Sequence, residues 1–216
     1  MPPLLTDLVQ RLLARLTPGA SRALIALAGL PGSGKSTLAA RLAAEVNAIA
    51  GGDAVVALGM DGFHLPKAAL RRMPDPEAAF ARRGAPWTFD APALVARLRD
   101  LKDAAGRAPV GWPDFQHEIG DPVEDAVAVG PETRLVLVEG LYLLLPESGW
   151  EELGPLWDER WYLDTPLDIA LTRLTDRHRA AWGLTQEEAE RRVDANDRLN
   201  AEIVARTQSL ADWRVL

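Results

Sequence analysis

The sequence predicts an α/β fold in which a parallel sheet carries helices on both faces. Three observations lead there. Short apolar runs alternate with helix-like stretches along the chain, a glycine-rich turn joins the first run to a helix, and acids stand just past two of the runs.

Residues 1–16 place Leu4, Leu5, Leu8, Val9, Leu12, Leu13 and Leu16 at helical spacing, broken by Asp7, Gln10, Arg11 and Arg15. This is an amphipathic helix, without the unbroken apolar core of a signal peptide or membrane span. Residues 23–28 form an apolar strand, and 36–50 an Ala/Leu-rich helix. Residues 54–58 are a second strand, 92–102 a helix, and the following Pro-, Gly- and acid-rich stretch is irregular. Residues 134–138 hold the clearest buried strand, Leu-Val-Leu-Val between Arg134 and Glu139. Another strand covers 160–163, followed by helices over 167–182 and roughly 186–205 and a last strand at 213–216. No repeat or linker divides the 216 residues, so a single domain spanning 1–216 is expected.

Hydrophobic residues make up 48% of the chain, enough for a sizeable core. The formal charge of -7, with no long basic run, argues against nucleic acid as a partner. Arginines do cluster locally, at Arg71/Arg72, Arg82/Arg83, 173–179 and Arg191/Arg192. In an acidic chain such clusters suit a small anionic ligand better than a polyanion, although Arg191/Arg192 reads as a solvated helix face. Cysteine is absent, so disulfides and Cys-ligated metals are excluded, and a cytoplasmic setting is consistent with that. No membrane association is expected, and the chain could act as a monomer or a homodimer.

Gly29-Leu-Pro-Gly32-Ser33-Gly34-Lys35-Ser36-Thr37 matches G-x-x-x-x-G-K-[ST] without a mismatch, between a strand and a helix. Its glycines let the backbone curl so that successive N–H groups face phosphate oxygens, and the helix dipole favours negative charge at its N-terminus. Lys35 is expected to reach the β- and γ-phosphates, Ser36 to ligate Mg²⁺, and Thr37 to approach the α-phosphate. ATP and Mg²⁺ are the implied cofactors, on a P-loop NTPase fold.

Ligands of such sheets bind beyond the carboxyl ends of the strands. Asp61 stands there in Met60-Asp61-Gly62-Phe63-His64, and Glu139 ends the buried strand. Phosphoryl transfer to an alcohol needs a carboxylate near the hydroxyl and a group that holds the metal or its water. Asp61 suits the first role and Glu139 the second. An Asp-Gly after a strand is also an ordinary turn, but a plain turn has no need of Phe63 and His64.

With these residues in view, the chain resembles the phosphoribulokinase/uridine kinase/bacterial pantothenate kinase superfamily. Further matching stretches are 83–90 (Arg-Gly-Ala-Pro-Trp-Thr-Phe-Asp), 113–117 (Pro-Asp-Phe-Gln-His), 121–125, 138–145, Asn196-Asp197 and Asn200-Ala201. The nearest resemblance is to small kinases labelled nucleoside/nucleotide kinase-like or fructose-transport-associated. It implies Asp61 as the catalytic base, Glu139 as a metal-side acid, and a pocket for a small-molecule hydroxyl acceptor. Gln116 stands where uridine kinases carry Asp, and Leu141 where the small kinases carry Asn. His117 matches the substrate-contacting His of pantothenate kinases. His64, Arg83, Trp87, Phe115 and His117 are the candidate substrate residues; Phe89 is expected in the core.

The helix over 167–182 carries Arg173 and Arg177 four residues apart and so on one face. Related kinases close this region over ATP as a lid, here approximately 173–190, and a planar guanidinium can bind two oxygens of the transferring group. Gly183 and Thr185-Gln186-Glu187-Glu188 read as a helix stop and a new start, a joint suited to a hinge. The expected activity is ATP-dependent transfer to a sugar, polyol, nucleoside or pantothenate-like hydroxyl. A P-loop ATPase or nucleotide switch acting through a protein partner is the alternative.

Overall fold

The computed structural model describes residues 5–17, 21–116 and 118–216. In chain order, helix α1 (Leu5–Arg15) precedes strand β1 (Ala23–Gly29), helix α2 (Lys35–Ala50) and strand β2 (Val55–Gly59). Two short helices, α3 (Lys67–Leu70) and α4 (Pro76–Ala81), lead to α5 (Ala91–Asp103). A hairpin of β3 (Val110–Gln116) and β4 (Asp121–Val129) comes next, then β5 (Leu135–Gly140) and β6 (Glu159–Leu163). The chain ends with α6 (Leu167–Trp182), α7 (Gln186–Arg192), α8 (Arg198–Ala205) and β7 (Trp213–Val215).

The main sheet is parallel, with strand order β2-β5-β1-β6-β7. Every residue of β1 is buried, as a central strand covered on both faces requires. Its side chains alternate between two cores. Leu24, Ala26 and Ala28 join Leu94, Leu98 and Trp150 on one face, while Ile25 and Leu27 join Leu8, Leu12 and Leu42 on the other. The expected α/β architecture is therefore present, with its strands within a residue or two of the expected ends.

Two features differ from the sequence reading. The stretch expected to be irregular holds the antiparallel β3–β4 hairpin, which packs on the turn that follows β2. Pro113 has no N–H to give a ladder and sits where the register shifts between Trp112 and Asp114. The helix expected over 186–205 is interrupted by a π-helical turn at Val193–Asp197. Of the predicted N-terminal helix, residues 1–4 lie outside the described residues; Leu8, Val9 and Leu12 bury its apolar face.

Glu159, at the start of β6, ties α1 to the sheet. Its carboxylate accepts from Arg11 Nε at 2.7 Å, from Arg15 Nε at 2.9 Å and from Trp161 Nε1 at 2.8 Å. Burial alone would raise its pKa, but the bonds from Arg11, Trp161 and Arg15 outweigh that and hold it below the ordinary 4.5. A depressed carboxyl contributes stability above its unfolded value and loses it as pH falls through the folded one. Glu159→Gln should therefore cost about 2 kcal/mol at neutral pH, with the difference shrinking in acid, as urea melts at several pH values would show. Equal stability of the two proteins at pH 7 would remove this role.

Candidate active site

The phosphate loop is built as the strand-to-helix turn between β1 and α2. Gly32 has φ +77°, and a Cβ there would lie 2.4 Å from the Ala170 carbonyl oxygen, so α6 can pack on the loop only because residue 32 has no side chain. Lys35 opens α2 and is buried, and its Nζ donates to the Leu30 carbonyl at 3.0 Å. Desolvation pulls its pKa down, against the carboxylates of Glu139 and Asp61, which favour the charged form. Ser36 Oγ donates to Glu139 Oε1 at 2.8 Å.

Parallel pairing brings the two acids together. Gly59 at the end of β2 is in register with Glu139 of β5, and Asp61 follows two residues later in the 3₁₀ turn Met60–Phe63. Burial raises the Glu139 pKa, the Lys35 charge lowers it, Asp61 raises it, and the Ser36 hydroxyl lowers it; the net direction is up. Asp61 is exposed to the cleft. Its turn is held from below by the hairpin. Trp112 Nε1 donates to the Gly59 carbonyl at 2.9 Å, and a Cβ on Gly62 would meet the Pro113 carbonyl oxygen at 2.0 Å. The glycine of Asp-Gly-Phe-His is thus a contact requirement.

A cleft of about 370 Å³ unites the loop, Asp61, Glu139, His64, Arg83, Arg173 and Arg177. His64 Nδ1 lies 2.8 Å from the Asp61 carbonyl oxygen, and its ring packs between Phe89 (4.0 Å between centroids) and Phe115 (4.8 Å). Phe89 is in the core, as expected. Arg83 is anchored rather than open: Nη1 donates to the Gly120 carbonyl, and Nη2 to Leu65 O and Asp121 Oδ1 at 3.1 and 2.8 Å. Trp87 is 49% exposed and is not on the cleft wall. Phe115 reaches the site through His64 and lies 5.3 Å from the Arg83 guanidinium carbon. His117 lies outside the described residues.

The π-helical turn supplies wall residues to which the sequence reading gave no role. Asn196 and Asp197 lie within it, Asn200 follows on α8, and all three line the cleft opposite Gly84. Such turns recur at functional sites because the extra residue redirects side chains. Asn196 Nδ2 donates to the Arg83 carbonyl at 2.9 Å, and Tyr142 Oη donates to the Gly84 carbonyl at 2.6 Å. The available signal was the Asn-Asp-x-x-Asn spacing inside a helix, where polar amides have no propensity reason to be. Among the described residues, the buried polar side-chain atoms without a partner are Ser33 Oγ, Arg83 Nε and Asn196 Oδ1. Each such atom costs about 1–3 kcal/mol; Arg83 and Asn196 line the cleft and Ser33 belongs to the phosphate loop beside it, so the orphaned groups flank a place organised for something other than stability.

Arg173 and Arg177 line the cleft from α6, and Arg173 Nη1 donates to the Ser33 carbonyl at 3.2 Å. The next residue, His178, places Nε2 2.7 Å from Asp197 Oδ2, so the arginine helix and the π turn are directly joined. Trp182 stacks on His178 at 4.6 Å, with Arg192 over its ring at 4.2 Å. The helix then ends on Gly183 in the left-handed region, and Thr185 with Glu188 forms a capping box that starts α7.

A second, more apolar hollow of about 540 Å³ lies on the other side of the loop. Gly34, Thr37 and Arg173 border both spaces, while Leu38, Leu163 and Val215 line the hollow itself. Among the described residues no cluster of three or more His, Cys, Asp or Glu could hold a metal on its own. The Ser36 hydroxyl with the Glu139 carboxylate is a pair of hard oxygen donors beside a phosphate loop. That suits Mg²⁺, which takes few protein ligands and completes its shell with phosphate and water.

Fold and cleft together define a P-loop kinase. No family model matches the chain. It is 42% identical over 193 residues to the Schizosaccharomyces pombe protein named "Putative uridine kinase C227.14", covering 88% of this chain and 81% of that one. It is also 42% identical over 154 residues to the "ATP-dependent kinase-like protein notR'" of Aspergillus versicolor, covering 69% of this chain and 88% of the other. Among solved structures, a "putative fructose transport system kinase" from Silicibacter sp. TM1040 superposes with TM-score 0.88 at 35% identity, over 99% of this chain and 100% of that one. The chain belongs to the phosphoribulokinase/uridine kinase superfamily of small-molecule P-loop kinases.

Proposed function

We propose that the protein transfers the γ-phosphoryl group of MgATP to a hydroxyl of a small molecule, with Asp61 as the general base. The observation that carries this reading is the meeting of Lys35, the Ser36–Glu139 pair and Asp61 in one cleft. The loop N–H groups and Lys35 hold the phosphate tail, and Ser36 with Glu139 holds Mg²⁺, which neutralises charge on the phosphates when bound. Asp61 accepts the proton of the attacking hydroxyl. Arg173 and Arg177 face the donor end of the cleft, where a guanidinium offsets charge on the γ-oxygens. The apolar hollow behind the loop takes the nucleobase, which leaves the His64 side for the acceptor. The whole of 1–216 acts as one kinase domain, and the 173–190 segment closes over the donor and keeps water out.

The test is γ-labelled ATP with Mg²⁺ and a mixture of hydroxyl-bearing metabolites. Label is expected in a small-molecule product. Label found solely in inorganic phosphate, at a rate no acceptor changes, would overturn the reading.

A further inference from the structure

We infer that the acceptor is a compact, uncharged polyhydroxylated molecule, a monosaccharide or alditol, rather than a hydroxy acid, a phosphate ester or a nucleoside. This rests on the kinase reading above and specifies its acceptor. Three features of the cleft carry it.

The first is charge. The basic groups at the donor end, Lys35, Arg173 and Arg177, sit beside the phosphate loop. The guanidinium groups of the neighbouring Arg82 and Arg83 are committed to the protein. Arg83 is paired with Asp121 and bonded to two backbone carbonyls. Its neighbour Arg82 donates to the Ala195 and Asn196 carbonyls and to Asn200 Oδ1, at 3.1–3.3 Å. An anionic acceptor would have to displace these bonds while facing the carboxylates of Asp61, Glu139 and Asp197, which line the same cleft. Bringing like charges together in a partly desolvated cleft is unfavourable, so the site selects against carboxylate and phosphate.

The second is the kind of polar group present. Asn196 and Asn200 line the cleft with amide N–H groups, Asn200 Oδ1 already accepting from Arg82, and Asp61 and Asp197 add carboxylate oxygens, one of which is met by His178. A hydroxyl donates and accepts at once, and a molecule carrying several can meet all four side chains.

The third is size and surface. The cleft of about 370 Å³ is shared with the phosphate loop, so the donor's terminal phosphates take part of it. What remains suits a single sugar-sized molecule. A nucleoside would add a base to that volume. His64 and Phe89 line the cleft, but the His64 ring is packed between Phe89 and Phe115 and so leaves no free face on which a base could stack.

The experiment measures ADP release by the full chain with MgATP, and identifies products by mass spectrometry. Ribose, fructose and ribitol are set against uridine, glycerate and ribulose 5-phosphate. At least one neutral sugar or alditol should raise ADP release about tenfold over the acceptor-free rate and appear as its monophosphate, with the other three near background. Preferred phosphorylation of uridine, glycerate or the sugar phosphate would overturn this inference and leave the kinase reading standing. Tight ATP binding with hydrolysis that none of the six changes would overturn both. Asn196→Ser provides a second readout, with an expected rise of about tenfold in KM for the neutral acceptor and little change in KM for ATP. An unchanged acceptor KM in folded Asn196→Ser would count against the amide contact.

Discussion

Asp61→Asn is expected to lower turnover about 100- to 10,000-fold while ATP binds within about threefold of the parent affinity. Asparagine keeps the size and the turn geometry, so the 3₁₀ segment and the His64 Nδ1 contact to the residue 61 carbonyl should survive. What disappears is a carboxylate able to take the acceptor's proton. It stands two residues past the point where β2 is in register with Glu139. Single-turnover phosphotransfer alongside equilibrium nucleotide binding separates the two effects. Full turnover in Asp61→Asn would move the base elsewhere in the cleft.

Lys35→Ala should have the other large effect, a loss of about 1,000-fold in kcat/KM accompanied by weaker ATP binding. Lys35 is buried between its contact to the Leu30 carbonyl and the charges of Glu139 and Asp61. Removing it deletes a charge at the phosphates and also the group that opposes the rise in the Glu139 pKa. Burial already pushes that carboxyl up, so without Lys35 it should protonate at still higher pH. In the proposed mechanism the Ser36–Glu139 pair would hold Mg²⁺ only when Glu139 is ionised. Mg²⁺ dependence should therefore steepen toward acid in Lys35→Ala, and its acid limb should move to higher pH. Nucleotide affinity equal to that of the parent, with an unmoved acid limb, would refute this account of Lys35.

Much of the cleft was legible in the sequence because its parts are local. Residues 29–37 carry their own geometry: a strand, glycines and a helix start suffice to curl the backbone, whatever packs around them. Asp61 and Glu139 could be placed because both follow apolar runs, and strands of a parallel sheet end at one edge. Arg173 and Arg177 could be placed on one face by spacing alone. The hairpin was missed for a physical reason as well. Pro113 breaks the strand pattern, and β4 is largely exposed, so apolar alternation is weak there. Its strands hold because they pair with each other and rest on the Met60–Phe63 turn, a contact between segments some fifty residues apart.

Arg83 shows the same division within one residue. Its sequence context made it a candidate substrate residue, while folding brings Asp121 to it from the hairpin and ties it to the cleft wall. The Asn196-Asp197-Asn200 face depended on a π turn that no local propensity announces, and on His178 arriving from another helix.

The α/β class, the phosphate loop and the two acids at the strand ends were determined by the sequence itself, because each rests on periodicity, on backbone freedom or on position along one strand. The tertiary structure alone decided which charges share the cleft, which arginines are already paired, and which amides line it. Those properties belong to contacts between distant segments, where charge and hydrogen bonding are settled by what folding brings within reach.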